Sequence, residues 1–307
     1  MVDMAHDKHD KYDKQAGTST LSGLYDLPRI YDILHIPGTK EDVKSLFDIA
    51  DRWVAQPATP RGRWLEPACG SGRLLISAAK RGVRGVGIDL NAAMLRFARK
   101  ATGVREKKLL KFLQGDICHL DEMFKSERFD FAFIPINTIR HLRTDAQMIR
   151  HFNAVSELLK PGGVYVIGMS LSAYGIEADN EDRWEGKLGR TRVIQNVQYL
   201  PARGGKTRTG RMEQVISHLT IYEGKSVQHV DDCYQLRSYD LEQWVKLIEK
   251  SKLRLLEIVN ESGTPIAPSE PGYSIFVLTR RDDARAKASR WHGQFGTIKP
   301  LKPITAR

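Results

Sequence analysis

The sequence predicts an α/β fold: a doubly wound, mostly parallel sheet that carries an antiparallel β insert. Three observations lead to this prediction. Runs of β-forming residues alternate with helical patterns between residues 63 and 169, which is typical of βαβ units. A glycine turn, Cys69-Gly70-Ser71-Gly72, follows the first of these runs. After Met169 apolar and polar residues alternate, as they do in antiparallel strands with one solvated face.

The N-terminal half of the chain supplies the parallel part of this fold. Residues 1–20 lack apolar periodicity, so we expect a disordered tail there. Apolar residues at spacings of three and four then predict helices over 24–34 and 40–53. Strands are expected at 63–67, 83–88, 110–113, 129–134 and 164–169, and the intervening helices at 73–80, 92–100 and 146–159.

The C-terminal half supplies the insert and completes the sheet. Antiparallel strands are expected at 192–200, 212–222 and 227–236, a helix at 240–250, and a closing pair of strands at 254–259 and 274–280. This pattern divides the chain into four regions. They are the tail 1–20, a main domain formed by 21–170 and 237–281, an insert 171–236 that covers the substrate, and a basic C-terminal tail 282–307.

The composition is that of a globular chain that can bury a core. Of 307 residues, 41% are hydrophobic, which excludes global disorder. The longest apolar run, 164–171, is far shorter than the roughly 20 residues that cross a bilayer. The N-terminus is too charged for a secretory signal, so we expect a cytoplasmic protein. Cys69, Cys118 and Cys233 are widely spaced and are expected to be buried, reduced thiols.

The net charge of +11 is concentrated in two segments. Residues 187–211 hold seven basic residues and no acidic one, and 280–307 hold eight basic residues against Asp282 and Asp283. The rest of the chain is nearly neutral. Clustered positive charge can attract nucleic acid, acidic proteins or anionic substrates, and it is equally compatible with a solvated loop and tail.

Chemically, the glycine turn is the most informative motif. Glycines let the backbone turn sharply and approach a ligand closely at the carboxyl end of a strand. The dinucleotide fingerprint G-x-G-x-x-G is incomplete because Leu75 occupies the third glycine position, which weakens a nicotinamide reading. Asp89 ends the second strand, where a carboxylate can accept from ribose hydroxyls. Asp116 ends the third, where it can accept from an adenine amino group. Either aspartate alone could simply cap a helix or open a turn.

With these residues in order, the chain resembles the class I S-adenosylmethionine-dependent methyltransferases from about Tyr25 to Arg280. The resemblance implies a Rossmann-like, seven-stranded sheet and S-adenosylmethionine as cofactor, with S-adenosylhomocysteine as product. It also implies that Lys160-Pro161-Gly162-Gly163 is the turn before the fifth strand and that Cys69 has a packing role. The implied contacts are Glu66, Ala68, Gly70 and Gly72 for the methionine part, Asp89 and Leu90 for the ribose, Asp116 and Ile117 for the adenine, and Ile134 nearby.

The fourth strand leads to the expected reacting centre. Asn137-Thr138-Ile139-Arg140-His141-Leu142 resembles the N-S-x-x-H-L stretch of small-molecule N-methyltransferases of the glycine and sarcosine type. By that resemblance Asn137 lies near the transferring methyl group and His141 near the substrate. His141 is the best candidate for a general base, because an ordinary imidazole titrates near neutrality. Its alternative role is that of a helix-start residue bonded to backbone.

The N-terminal stretch Leu24 to Asp32 resembles the Y-D-x-x-Y-D segment that folds over the cofactor in related enzymes. Tyr25 and Tyr31 are therefore candidates for cofactor contacts, or else core aromatics of a helix. A metal site is not expected. His6 and His9 belong to a polar tail, and His229, Asp231, Asp232 and Cys233 alternate along an exposed strand.

These observations predict a methyltransferase for nitrogen or oxygen atoms of a small or medium-sized acceptor. Two alternatives remain at this point. The acceptor could be RNA or a protein bound by the basic segments 187–211 and 280–307, or the chain could be a cofactor-binding regulatory protein without turnover. The sequence does not fix the oligomeric state.

Overall fold

A computed structural model describes residues 23–55, 62–204, 209–268 and 270–291. Its helices are α1 (Pro28–His35), α2 (Thr39–Trp53), α3 (Arg73–Ala79), α4 (Ala92–Ala101), α5 (Leu120–Met123), α6 (Asp145–Leu158), α7 (Leu241–Glu249) and α8 (Ala284–Ala288). Its strands are β1 (Arg63–Pro67), β2 (Arg84–Asp89), β3 (Leu110–Gln114), β4 (Phe129–Ile134), β5 (Leu159–Leu171), β6 (Asn180–Leu188), β7 (Thr191–Leu200), β8 (Met212–Glu223), β9 (Ser226–Arg237), β10 (Leu253–Val259) and β11 (Gly272–Arg280).

The larger sheet has seven strands in the order β10-β11-β5-β4-β1-β2-β3. Strands β1 to β5 pair in parallel, and β11 pairs antiparallel with both β5 and β10. The strand order reverses between β1 and β4, so a crevice opens at their carboxyl ends, where ligands of doubly wound sheets bind. The predicted fold class and the seven strands are confirmed.

Apolar residues cover both faces of this sheet. One cluster packs the sheet against α6 and α7 and includes the fully buried Trp244 and Phe152. The other packs it against α2 and α3 around Trp64. Because strands of a parallel sheet are buried on both faces, they read as near-continuous apolar runs such as Phe129–Ile134.

The helices begin where the sequence supplies suitable residues. Pro28 occupies the first turn of α1, so the helix expected over 24–34 is divided into a short turn at Leu24–Asp26 and α1. The side chains of Asn91 and Thr144 accept backbone N–H groups at the starts of α4 and α6. Asp240 and Gln243 form a capping box at α7.

The insert is an antiparallel sheet of four strands, β6-β7-β8-β9, whereas the sequence predicted three. Strand β6 was missed because most of its residues are polar and exposed, and mainly Trp184 and Gly186 face inward. A Cβ atom on Gly186 would lie 2.1 Å from the carbonyl oxygen of Ile33, so a glycine here lets α1 lie directly on the sheet. The sheet occupies 180–237, slightly displaced from the expected 171–236.

Two other expectations need adjustment. The segment 160–163, expected as a turn, belongs to a long β5 that is irregularly paired with β4, and Gly162 has a φ of 79° there. The expected tail 282–307 is only partly described. Its first part forms α8, and the Trp291 indole N–H donates to Glu257 at 2.8 Å. The tail 1–20 lies outside the described residues, and none of the helices described is long and apolar enough to cross a bilayer.

A buried ion cluster joins the insert to α6. The guanidinium groups of Arg211 and Arg237, 8% and 5% exposed, both donate to the Asp145 carboxylate, at 3.2 Å and 2.9 Å. Arg211 was counted in the basic segment 187–211, yet its charge is compensated here. Buried guanidinium groups require such partners, because an unpaired charge is costly to desolvate.

We therefore expect Asp145→Ala to destabilise the protein by about 1–3 kcal/mol, less than for a wholly buried pair because the aspartate side chain is half exposed. The midpoint of urea unfolding measures this change. Asp282→Ala, which removes the exposed Arg280 pair, is the matched control and should change stability by less than about 0.5 kcal/mol. Equal effects of the two substitutions would show that the buried cluster does not stabilise the insert.

Candidate active site

The glycine turn after β1 holds its backbone in left-handed conformations. Ala68, Gly70 and Gly72 have φ values of 55°, 52° and 71°. A Cβ atom on Gly72 would lie 2.7 Å from the Phe112 ring, so glycine is required there for space as well as for conformation. The turn exposes its backbone at the carboxyl end of β1, beside the crevice.

Asp89, at the end of β2, is tied to this turn. Its carboxylate accepts the N–H groups of Gly70 at 2.7 Å and Asn91 at 2.8 Å. Burial raises the pKa of this carboxyl, and the backbone donors oppose that shift. Because a carboxylate offers about four lone-pair sites, Asp89 can accept a further hydrogen bond from a ligand.

The other strand-end residues are placed differently. Asp116 is exposed and accepts the Cys118 N–H at 2.8 Å, which is the capping role that the sequence left open. Leu90 is exposed, whereas Ile117 and Ile134 are buried. Leu90 follows β2, Asp116 and Ile117 follow β3, and Ile134 ends β4, all at the same edge of the sheet, although none of the four lines the cavity described below.

Glu66 is a buried carboxyl at the end of β1. Its Oε2 atom has no hydrogen-bond partner among the described residues. Burial raises its pKa to about 8, against the opposing influence of Arg73. A buried, unpartnered oxygen at the base of a crevice is a ready acceptor for a ligand N–H group.

The N-terminal segment lies over the glycine turn. The Tyr31 ring comes within 3.7 Å of the position that a Cβ atom on Gly70 would occupy. Ser71 donates its hydroxyl to Asp32 at 2.9 Å, and the Asn91 amide donates to the carbonyl of Tyr25 at 2.8 Å. The segment therefore covers the turn, as its resemblance to a covering segment implied.

A cavity of about 170 Å³ lies between the glycine turn and the insert. We call it the transfer cavity. Glu66, Ala68, Tyr25, Tyr31, Asn137 and His141 contribute to its wall, so the structure brings these six predicted residues together. The insert contributes Trp184, Gln195, Val197, Tyr199, Glu213, Tyr234 and Leu236.

The insert residues of this wall were not singled out by the sequence reasoning. They occupy inward positions of β6 to β9, and successive members of one strand are two residues apart, as Tyr199 follows Val197. That alternation was visible in the sequence. The side on which the sheet meets the active site was not.

His141 stands at the mouth of the transfer cavity. Its Nε2 atom lies 3.1 Å from the Tyr25 hydroxyl, and its ring stacks on Tyr234. The imidazole is open to solvent on one side, but the surrounding protein and the Arg140 charge lower its pKa to about 4. His141 is therefore neutral at pH 7, with one ring nitrogen able to accept a proton.

Asn137 is held by β5. Its side-chain Nδ2 atom donates to the Ser170 hydroxyl at 3.1 Å, and its side-chain Oδ1 atom accepts the Ser170 N–H at 2.7 Å. Asn137 itself has a φ of 60°. The amide thus fixes a strained turn after β4, and only its remaining donor and acceptor capacity is available to a ligand.

Arg140 links His141 to the insert. Its side chain is 2% exposed, and it donates to Glu213, to the carbonyl of Arg237 and to the Ser238 hydroxyl. Apart from its place in the Asn137–Leu142 stretch, nothing in the sequence singles this residue out. Its contacts fix the distance between the turn after β4 and the cavity wall formed by the insert.

The cysteines and the candidate metal residues do not form a shared site. Cys69 and Cys118 are buried, but Cys233 is exposed on β9, so the expectation of a buried thiol is wrong there. Asp232 lies on the face of β9 opposite to Asp231, which pairs with His218 at 2.6 Å. Within the described ranges no three potential ligands are grouped around one point. His6 and His9 lie outside those ranges.

The basic segments are partly neutralised. Besides Arg211, Arg192 pairs with Glu185 at 2.6 Å, Arg285 with Asp283 at 2.7 Å, and Arg290 with Glu257 at 2.7 Å. Lys206, Arg208, Lys299, Lys302 and Arg307 lie outside the described residues. The described parts therefore present less free positive charge than the sequence sums suggest.

The raised pKa of Glu66 predicts a pH-dependent stability. The unfolded chain releases this proton near pH 4.5, whereas the folded protein keeps it up to about pH 8. Between these values the folded state binds more protons, so its stability falls as pH rises, by at most about 1.4 kcal/mol per pH unit. Glu66→Gln should remove this fall, which urea unfolding at pH 5, 6, 7 and 8 can measure.

Glu249→Gln, on the exposed end of α7, is the control and should retain the wild-type slope. Parallel stability curves for wild type and Glu66→Gln would mean that the buried carboxyl is ionised in the folded protein.

Comparison with known proteins agrees with this geometry. Residues 65–163 match the family described as "Methyltransferase domain". The chain is 22% identical over 238 residues to the putative methyltransferase YqeM of Bacillus subtilis, covering 76% of this chain and 90% of that protein. It is 24% identical over 233 residues to a Streptomyces venezuelae dTDP-3-amino-3,4,6-trideoxy-alpha-D-glucopyranose N,N-dimethyltransferase, covering 74% and 89%.

Solved structures show the same fold. An S-adenosylmethionine-dependent methyltransferase from Clostridium acetobutylicum superposes with a TM-score of 0.64 at 17% identity, covering 83% of this chain and 97% of that one. Streptomyces venezuelae DesVI superposes with a TM-score of 0.62 at 21% identity, covering 83% and 98%.

The residues present suit the cofactor of this fold. The unpartnered Glu66 oxygen can accept from an amino group, the left-handed turn offers its backbone, and Asp89 retains lone pairs for hydroxyl donors. Residues 65–163 thus match a methyltransferase domain, and the chain has the class I fold seen in S-adenosylmethionine-dependent methyltransferases.

Proposed function

We propose that this methyltransferase moves the methyl group of S-adenosylmethionine to a nitrogen or oxygen atom of a small or medium-sized acceptor. The observation that carries the proposal is the transfer cavity, which joins the glycine turn to His141 under the cover of the insert. A wall closed by the N-terminal segment on one side and by the insert on the other suits a small molecule better than a polymer.

Different residues at the strand ends would bind different parts of the cofactor. We assign Glu66, Ala68, Gly70 and Gly72 to the methionine part, Asp89 and Leu90 to the ribose, and Asp116 and Ile117 to the adenine. Ile134, Tyr25 and Tyr31 would complete the site. The free lone pairs of Asp89 and the unpartnered Glu66 oxygen support this assignment.

When bound, S-adenosylmethionine supplies a methyl group on a sulfonium, which is already a good leaving group. The protein then has to align the acceptor with the S–CH₃ bond and to exclude water. The rings of Tyr25, Tyr31 and Tyr234 and the Arg140–Glu213 pair would form the dry wall that does this.

His141 would orient the acceptor by accepting a hydrogen bond from it, and the proton of the methylated product would pass to solvent after transfer. Since its pKa is about 4 in the ligand-free protein, it is neutral but a weak base. That suits an acceptor that attacks with a lone pair already available, such as an uncharged amine, and the Tyr25 hydroxyl can hold the imidazole in place. The nitrogen acceptor named for the Streptomyces venezuelae relative supports the same chemistry.

No specific observation favours RNA or protein as the acceptor, or a regulatory protein without turnover. The insert closes the transfer cavity where an RNA or protein segment would have to enter, and several of its basic residues are paired with carboxylates. The cavity wall also retains an imidazole with proton-accepting capacity, which a purely regulatory protein does not need.

Asp89→Ala should weaken binding of S-adenosylhomocysteine by about 10- to 100-fold. The substitution removes a charged acceptor worth about 1.5–3 kcal/mol and releases the Gly70 N–H that it holds. Isothermal titration calorimetry of purified protein measures the change. Asp51→Ala, an exposed aspartate on α2, should bind like the wild type. A wild-type protein that binds neither S-adenosylmethionine nor S-adenosylhomocysteine would overturn the proposal.

Transfer itself is tested with S-adenosylmethionine and a panel of small amines, amino sugars and alcohols, with RNA and acidic proteins as further arms. S-adenosylhomocysteine should form with at least one small molecule. We expect His141→Gln to lower kcat about 10- to 100-fold and Tyr25→Phe to lower it less, because the phenylalanine keeps the ring and loses only the hydroxyl that contacts His141 and Tyr234.

Transfer restricted to RNA or protein would replace the proposed acceptor class. Tight cofactor binding with no transfer to any acceptor would instead support the regulatory alternative.

A further inference from the structure

A second cavity, of about 390 Å³, lies on the other side of the turn after β4. We call it the side pocket. Its floor is apolar and is formed by Leu46, Ile49, Phe133, Val166 and Ile275. The volume falls within the range of ligand sites, which combine apolar walls with a few polar groups.

The rim of the side pocket is acidic, although the protein as a whole is basic. Glu41 and Glu261 lie on this rim and form no ion pair with another described residue. Asp42 is also there, and it forms an ion pair with Arg73 at 2.9 Å. The wall also contains the imidazole of His35, whose pKa is lowered to about 4 by burial, so that His35 is neutral at pH 7. The rim thus carries an uncompensated charge from two carboxylates.

Tyr273 lines the side pocket and is affected by the same negative charges. Its hydroxyl accepts the Ile136 N–H at 3.3 Å, which leaves the phenolic hydrogen free to point into the pocket. Burial raises the pKa of Tyr273 to about 12, and the charges of Asp42 and Glu261 add to that shift. An anionic ligand would therefore meet repulsion here, and a cationic ligand attraction.

The side pocket and the transfer cavity are neighbours. Both are lined by Arg73, Leu74, Pro135, Ile136 and Trp184. Among these shared residues Ile136 has a φ of 55°, which is strained for a β-branched residue, and it is 37% exposed. A molecule in the side pocket would thus lie beside the transfer cavity, separated from it by these shared residues.

We propose that the side pocket binds the part of the acceptor remote from the methylated atom, and that this part is apolar and carries a positive charge. The inference rests on the proposed function in assuming that the ligand is a methyl acceptor. The preference of the side pocket for an apolar cation follows from the residues that line the pocket. The apolar floor takes the hydrocarbon, and Glu41 and Glu261 attract the charge. Acceptor choice would then depend on this pocket rather than on the basic segments.

Three probes of one shape test the pocket: 4-phenylbutylamine, the uncharged 4-phenyl-1-butanol and the anionic 4-phenylbutyrate. Binding is measured by calorimetry at low salt, with saturating S-adenosylhomocysteine so that the cofactor site is filled. The amine should bind at least about tenfold more tightly than the alcohol, and the carboxylate should bind most weakly. Equal binding of amine and alcohol, or a preference for the carboxylate, would overturn the inference.

The double variant Glu41→Gln, Glu261→Gln should lose about tenfold in amine affinity and change alcohol affinity little. A double variant with the same loss of charge elsewhere, Glu181→Gln, Glu249→Gln, should behave like the wild type. Ser45→Phe, which fills the pocket from α2, should weaken amine and alcohol alike. An unchanged amine affinity in both pocket variants would place the amine elsewhere and refute the assignment.

The two proposals fail in different ways. If S-adenosylhomocysteine does not bind, the proposed function fails, and the amine titration without cofactor still tests the pocket. If S-adenosylhomocysteine binds but displaces the amine competitively, the side pocket is part of the cofactor site and this inference is wrong, while the proposed function stands.

Discussion

The active site depends on one buried ion pair, between Arg140 and Glu213. Arg140 belongs to the turn that leaves β4, and Glu213 to the first part of β8 in the insert. A guanidinium group can be buried only when its N–H groups are hydrogen-bonded. Besides Glu213, the carbonyl of Arg237 and the Ser238 hydroxyl accept hydrogen bonds from Arg140. The requirement to pair this charge therefore fixes the insert over the strand ends, and with it the cavity wall that faces His141.

Desolvation also sets the character of the site's titratable groups. It raises the pKa of Glu66 and lowers that of His141, so that both groups are uncharged at neutral pH in the ligand-free protein. In the ligand-free protein neither Glu66 nor His141 therefore places a charge in the transfer cavity, and the charged side chains around the cavity are paired with opposite charges. A ligand that brings a positive charge can then ionise Glu66, which couples binding to proton release.

Much of the main domain could be predicted because its signals are local. The alternation of strands and helices, the glycine turn, and the carboxylates at successive strand ends are each written within a few residues, and parallel topology brings strand ends together. Three features escaped because they depend on tertiary contacts. Strand β6 forms although its residues are mostly polar, His141 has a pKa far from that of a free imidazole, and Arg211 is neutralised by the distant Asp145.

Helix α1 is attached chiefly to the insert. Its residues Ile30, Ile33 and Leu34 pack with Val193, Leu219 and Ile221 in one apolar cluster, and Arg29 pairs with Glu223 at 2.8 Å. The covering segment and the antiparallel sheet therefore pack as one unit, which meets the glycine turn through the Ser71–Asp32 hydrogen bond and the Tyr31 ring. A substitution within this apolar cluster would therefore disturb the cover of the glycine turn and the insert wall of the transfer cavity together.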